Sequence, residues 1–148
     1  MLLEVSARIL IVDDEAGTGY ALKLLLELEG YEVIVAADGD EAFLLASTDP
    51  PDFVITDICM PKVNGLELIR QMKAQPTLRR VPIIVISSAE PADLRQAIDL
   101  GARAALPKPV EYIDLLDCLR DARAPGYDAR RPVTRGGLSR AAWERRFS

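Results

Sequence analysis

The stretch Pro51-Pro-Asp-Phe-Val-Ile-Thr-Asp57-Ile-Cys-Met-Pro61 decides the fold. Phe53, Val54 and Ile55 are apolar without alternation, the pattern of a strand buried on both faces, and the run stops at a carboxylate. Pro61 cannot donate to a sheet ladder, so the strand has ended before it. Asp57 thus stands at the carboxyl end of a strand, where open α/β sheets build their sites. A single aspartate there is most simply a turn cap. Three other strand ends change its meaning. Arg8–Val12 runs into Asp13-Asp14-Glu15, Ile83–Ile86 runs into Ser87-Ser88, and Ala104–Leu106 runs into Pro107-Lys108-Pro109. Taken singly, the acid pair reads as helix caps, Ser87 as a turn residue and Lys108 as a surface lysine. Taken together at four strand ends, they are the parts of one phosphoryl-transfer site.

Outward from these ends, strand and helix patterns alternate. Tyr20–Glu29 has helical periodicity and stops at Gly30, a residue suited to a helix C-cap. The start of that helix is weak, because Gly17 and Gly19 each cost about 1 kcal/mol relative to alanine. Tyr31–Ala36 reads as a strand, Asp38-Gly-Asp as a turn and Glu41–Ser47 as a short helix. Asn64-Gly65 opens a helix through about Ala74. Pro91 suits the first turn of a helix running to Leu100, with Gly101 as its cap. Tyr112–Arg123 is a last amphipathic helix. Five βα units predict a parallel sheet with helices on both faces.

Composition bounds the chemistry. A chain of 148 residues, 49% hydrophobic and 28% charged, is expected to be one globular domain. No apolar run spans a bilayer, and the first eight residues lack a signal-peptide layout. Cys59 and Cys118 match no metal spacing and read as reduced thiols of a cytoplasmic protein. The absence of histidine excludes Ser-His-Asp and Cys-His catalysis and a phosphohistidine carrier role within this chain. Residues 125–148 hold six arginines against two acids, so of the net −5 the tail carries +4 and the first 124 residues −9. An acidic body disfavours nucleic-acid binding by the core. The expected organisation is a domain over 1–124 and a basic linker or tail over 125–148. From about residue 138 the tail could form a short helix, with Trp143 and Phe147 on one face.

An aspartate can attack phosphorus to give an acyl phosphate, and such transfer needs charge neutralisation more than covalent help. Asp13, Asp14 and Asp57 supply hard oxygen ligands of the kind Mg²⁺ prefers, Lys108 a fixed cation and Ser87 a hydroxyl.

The segments Ile9–Glu15, Pro51–Gly65, Val81–Ser87 and Gly101–Pro109 resemble the receiver domains of two-component response regulators. The resemblance runs from residue 8 to about 123. It implies a flavodoxin-like, doubly wound (βα)₅ fold with the parallel strands in order 2-1-3-4-5. It implies phosphorylation of Asp57 by a partner sensor histidine kinase or phosphotransfer protein, with Mg²⁺ or Mn²⁺ required. Asp14, Asp57 and the backbone carbonyl of Cys59 would ligand the metal, with Asp13 acting through water. Lys108 would contact the phosphoryl oxygens, Ser87 would move to bond them, and Lys108–Pro109 would be cis.

Two positions depart from the family pattern. Ala105 stands where the family has a switch aromatic, so either Tyr112 or another group fills the space, or the output face signals differently. Ser88 stands where the family favours alanine, and reads as a solvent-facing turn serine rather than a second hydroxyl near phosphate. The expected output is binding rather than catalysis, a phosphorylation-dependent change on the face formed by residues 91–120. That face is offered to a downstream protein, and a homodimer through it stays open. A receiver cut from a longer regulator, or one whose arginine tail adds nucleic-acid binding, is the alternative. A dedicated phosphatase is disfavoured, because Cys59 occupies the place where a second acid would follow Asp57.

Overall fold

A computed structural model describes residues 7–60 and 63–123. The chain alternates β1 (Arg8–Val12), α1 (Ala16–Leu28), β2 (Glu32–Ala36), α2 (Gly39–Thr48), β3 (Phe53–Thr56) and α3 (Gly65–Ala74). It continues with β4 (Ile83–Ser87), α4 (Pro91–Asp99), β5 (Ala104–Pro107) and α5 (Tyr112–Arg123). The five strands form one parallel sheet in order β2-β1-β3-β4-β5. This is the expected topology. The tail over 125–148, with its expected helix from 138, lies outside the described residues.

The unbroken apolar strands are explained by two cores, one on each sheet face. Leu10, Val12, Val54, Ile83, Val85 and Ala105 belong to the core shared with α2, α3 and α4. Ile9, Ile11, Phe53, Ile55, Ile84 and Leu106 belong to the core shared with α1 and α5. Successive strand residues point to opposite faces, so a strand covered on both sides must be apolar throughout. All four residues of β3 are buried, in keeping with its central place.

Local chemistry sets the helix ends. Asn64 accepts from the Glu67 N–H (3.0 Å) and Asp38 from the Glu41 N–H (2.8 Å), each satisfying a donor the helix leaves open. The expected turn at Asp38-Gly-Asp is therefore a cap and the first turn of α2. Helix α1 begins at Ala16, four residues before its periodicity suggests, with Gly17 and Gly19 inside it. The Gly19 N–H bonds the Glu15 carbonyl (3.2 Å), and Gly19 lies close to Val35 of β2, so tertiary packing outweighs the helix propensity of glycine. Gly30 and Gly101 have φ of 96° and 115°, a conformation glycine adopts without strain. Among the described residues, no helix is long and apolar enough to cross a membrane.

Candidate functional site

Parallel strands end together, and that brings distant residues to one place. The ladder continues one bond past β1 and β3, with the Asp13 N–H on the Ala36 carbonyl and the Asp57 N–H on the Val12 carbonyl. At the other edge the Lys108 N–H bonds the Ser87 carbonyl (3.0 Å). Asp13, Asp57, Ser87 and Lys108 are thereby fixed by backbone pairing rather than by loop conformation.

Asp57 lies at the centre. Its Oδ1 accepts from the Ser87 hydroxyl at 2.6 Å and from the Cys59 N–H at 3.1 Å. Its Oδ2 accepts from the Lys108 ammonium at 2.9 Å. The same ammonium stands 4.0 Å from Asp13 Oδ2. Asp57 is 9% exposed and Ser87 is fully buried. Burial pushes the Asp57 pKa up, but the bonds from Ser87, Lys108 and Cys59 and the charge of Lys108 outweigh it and hold the carboxyl below its ordinary value. Asp13 goes the other way: burial raises its pKa despite the bond it accepts from the Glu15 N–H (2.8 Å) and the nearby Lys108. Burial works against the Lys108 ammonium, yet its bond to Asp57 and the charges of Asp57, Asp13 and Glu15 raise its pKa. The outcome is an ionised Asp57 with a cation on one oxygen and two donors on the other.

Asp14 is exposed, and the described residues bring no three acid, cysteine or histidine side chains together as a metal cluster. The donor set still fits a hard divalent cation. Mg²⁺ commonly binds through one or two carboxylates, with waters and phosphate oxygens completing its shell, and Asp13 and Asp57 already converge on one ammonium. Cys59 is exposed, with its N–H on Asp57. The Lys108–Pro109 bond is cis.

Ala105 is fully buried in the α2–α3–α4 core, together with Leu94, Ala97 and the partly buried Ala89. Tyr112 packs against the opposite core and gives its hydroxyl to the Leu25 carbonyl (2.9 Å), so it does not fill the space beside Ala105. Ser88 is exposed, and it is the Ser87 hydroxyl that accepts from the Ala89 N–H (3.2 Å).

One contributor was not evident from sequence. The chain after β3 doubles back so that the Gly65 N–H bonds the Ile58 carbonyl (3.0 Å). A Cβ at Gly65 would sit 2.2 Å from the Asp57 carbonyl oxygen. Glycine at the head of α3 is therefore what lets that helix approach the backbone of Asp57. The Asn64-Gly65 pair signals a helix start, but nothing local signals which backbone it meets.

The sequence profile of the response regulator receiver domain matches residues 9–120. The chain is 36% identical over 117 residues to the response regulator PleD of Caulobacter vibrioides, an alignment spanning 78% of this chain and 26% of that protein. It is 40% identical over 114 residues to the response regulator MprA of Mycolicibacterium vanbaalenii, spanning 76% of this chain and 48% of that one. The chain thus matches about a quarter to a half of the length of these relatives. Among solved structures, the chemotaxis response regulator CheY4 of Vibrio cholerae superposes with a TM-score of 0.74 at 30% identity, over 80% of this chain and 99% of that one. A protein from Chloroflexus aurantiacus gives a TM-score of 0.76 at 28% identity, over 80% and 98% of the two chains.

Proposed function

Because the chain belongs to the response regulator receiver family, whose general function is phosphorylation-dependent signalling, we propose that Asp57 is its phosphoacceptor. The observation that carries this is the Asp57 carboxylate, ionised against its own burial by Lys108, Ser87 and the Cys59 N–H. An Asp57 oxygen attacks the phosphorus of a phosphohistidine on a sensor kinase or phosphotransfer protein. The oxygen–phosphorus bond forms as the nitrogen–phosphorus bond breaks, and the electron pair leaves with the imidazole. Lys108, already within bonding distance of the acceptor, follows the charge onto the phosphoryl oxygens, and the Ser87 hydroxyl exchanges its carboxylate partner for one of them. Asp13 and Asp57, with Asp14 and the Cys59 carbonyl as further ligands, would hold Mg²⁺ or Mn²⁺. When bound, that ion neutralises charge on the transferring phosphoryl group.

The chain acts as a phosphoacceptor rather than a turnover enzyme, and its output is a population shift in the surface of α4, β5 and α5 that a downstream protein or a second copy reads. We place the domain boundary after residue 124, near the end of α5. Free Cys59 and Cys118 support a reducing compartment, the cytoplasm. The test is intact mass after incubation with Mg²⁺ and a small phosphodonor such as acetyl phosphate. One phosphoryl group is expected on the parent and none on Asp57→Asn. Equal labelling of a folded Asp57→Asn chain would remove the assignment.

A further inference from the structure

The sheet face covered by α1 and α5 is incompletely packed. A cavity of about 530 Å³ lies between Ile11, Ile55 and Ile86 of the sheet, Ala21 and Leu22 of α1 and Leu115 of α5. That volume is in the range of a ligand site. Asp57 and Lys108 line it too, so the space adjoins the acceptor. The two helices are tied across it by the Tyr112 hydroxyl on the Leu25 carbonyl and by Arg120 facing Glu29 at 3.9 Å. Leu25, on the cavity wall, is still 43% exposed. An apolar hollow of this size beside a functional centre calls for an apolar occupant.

We propose that the groove between α1 and α5 is the docking site of the chain's own C-terminal segment, residues 138–148, with Trp143 and Phe147 as its anchors. Three observations select this occupant. The first is chemistry: the segment holds the only tryptophan of the chain and a phenylalanine four residues on, and among the described residues lining the groove Tyr112 is the single aromatic, its hydroxyl already engaged by the Leu25 carbonyl. The second is charge. Residues 15–29 carry three glutamates against Lys23, and residues 111–123 carry four acids against Arg120 and Arg123. Residues 138–148 bring Arg140, Arg145 and Arg146 against Glu144. The third is reach. Helix α5 carries the chain about 17 Å from Tyr112 to Arg123, while residues 124–137 extend to about 46 Å, more than enough to return. The docking itself does not depend on Asp57 being phosphorylated.

The lone tryptophan makes the test direct. Emission and acrylamide quenching of Trp143 are measured on the full chain, on a free peptide of residues 138–148, and on two full-length variants. Ala21→Phe fills the groove from an exposed helix position. Leu44→Phe adds the same ring at an exposed site on α2, on the far side of the sheet. Blue-shifted emission and quenching reduced several-fold relative to the peptide are expected in the parent and in Leu44→Phe, with peptide-like values in Ala21→Phe. Peptide-like values in the parent would overturn the docking. A blue shift that Ala21→Phe leaves untouched would overturn the groove as its site. A blue shift that disappears on dilution together with a dimer mass would show docking onto a second copy, and the intramolecular contact would be withdrawn.

Discussion

At the scale of single residues, the site is a balance between burial and donated bonds. Ser87 gives a 2.6 Å bond to a carboxylate that is almost fully buried. A bond to a charged group contributes about 1.5–3 kcal/mol net, and Lys108 and the Cys59 N–H remain, so Ser87→Ala should cost about 1–2 kcal/mol at pH 7. The sign of its pH dependence follows from Asp57. A folded pKa held below the ordinary 3.8 adds stability above that value and loses it as pH falls through the lowered folded value. The gap between parent and Ser87→Ala should therefore narrow in urea titrations below pH 3.8. Asp13 acts oppositely, since its raised pKa makes the folded state regain stability on acidification. The thiols give a second prediction. Burial pushes Cys118 from an ordinary 9.0 up to about 12, whereas Cys59 is exposed. Iodoacetamide at pH 8 should label Cys59 and spare Cys118 until the chain unfolds. The unfolded state releases the Cys118 proton first, so between about pH 9 and 12 this thiol lowers stability by about 1.4 kcal/mol per unit, a slope that Cys118→Ala should lack. Asp57, Ser87 and Lys108 were legible as a site because each follows an apolar strand, and parallel strand ends converge. Asp14 follows a strand equally well in sequence, yet it is exposed while its neighbour Asp13 is buried and turned onto the Glu15 N–H. Which member of an acid pair turns inward depends on the bend after the strand, and the sequence does not spell that bend out.

At the scale of elements, glycine separates what the sequence reveals from what packing adds. The three glycines near the site serve different ends. At Gly17 a Cβ would meet nothing within 4 Å, so Gly17→Ala should stabilise the chain by about 1 kcal/mol through helix propensity alone. At Gly19 the new methyl would lie 3.3 Å from Val35, and the gain should be smaller or absent. At Gly65 it would strike the Asp57 carbonyl at 2.2 Å, and backbone cannot yield as a flexible side chain does. Gly65→Ala should cost about 1–3 kcal/mol in thermal or urea unfolding and, on the proposed role of Asp57, slow its labelling, because relief of the clash moves Asp57 or the start of α3. Equal stability and labelling of Gly65→Ala and the parent would show the approach to be looser than described. Strands, caps and order were readable because they rest on local rules: unbroken apolar runs, Asn64 as a cap, Gly101 after a helix. The early start of α1 and the role of Gly65 were not. Both depend on a neighbour distant in sequence, Val35 in one case and the Asp57 backbone in the other.

At the scale of the whole molecule, the two faces of the sheet are unequally closed, and no pattern in the chain announces it. Apolar periodicity says that a helix faces the sheet, but it does not say how tightly two helices on one face meet. Helix α3 buries Gly65, Leu66, Leu68, Ile69 and Met72. Among the residues of α1 whose burial is described, only Gly19 and Leu26 are buried, and Tyr20, Leu24 and Leu28 are 59–84% exposed. Local opening needs less free energy where fewer apolar contacts must be broken. Amide hydrogen exchange under native conditions should therefore find α1 exchanging by local opening well before α3, with protection in α3 approaching that of β3 and β4. If the C-terminal segment occupies the groove, Ala21→Phe bears on this order as well. Its ring replaces the segment against the same wall, so α1 should keep its protection while the segment loses its own. Protection in α1 equal to that in α3, unchanged by any alteration of the groove wall, would mean that the sheet is closed alike on both faces and that the cavity does not persist in solution.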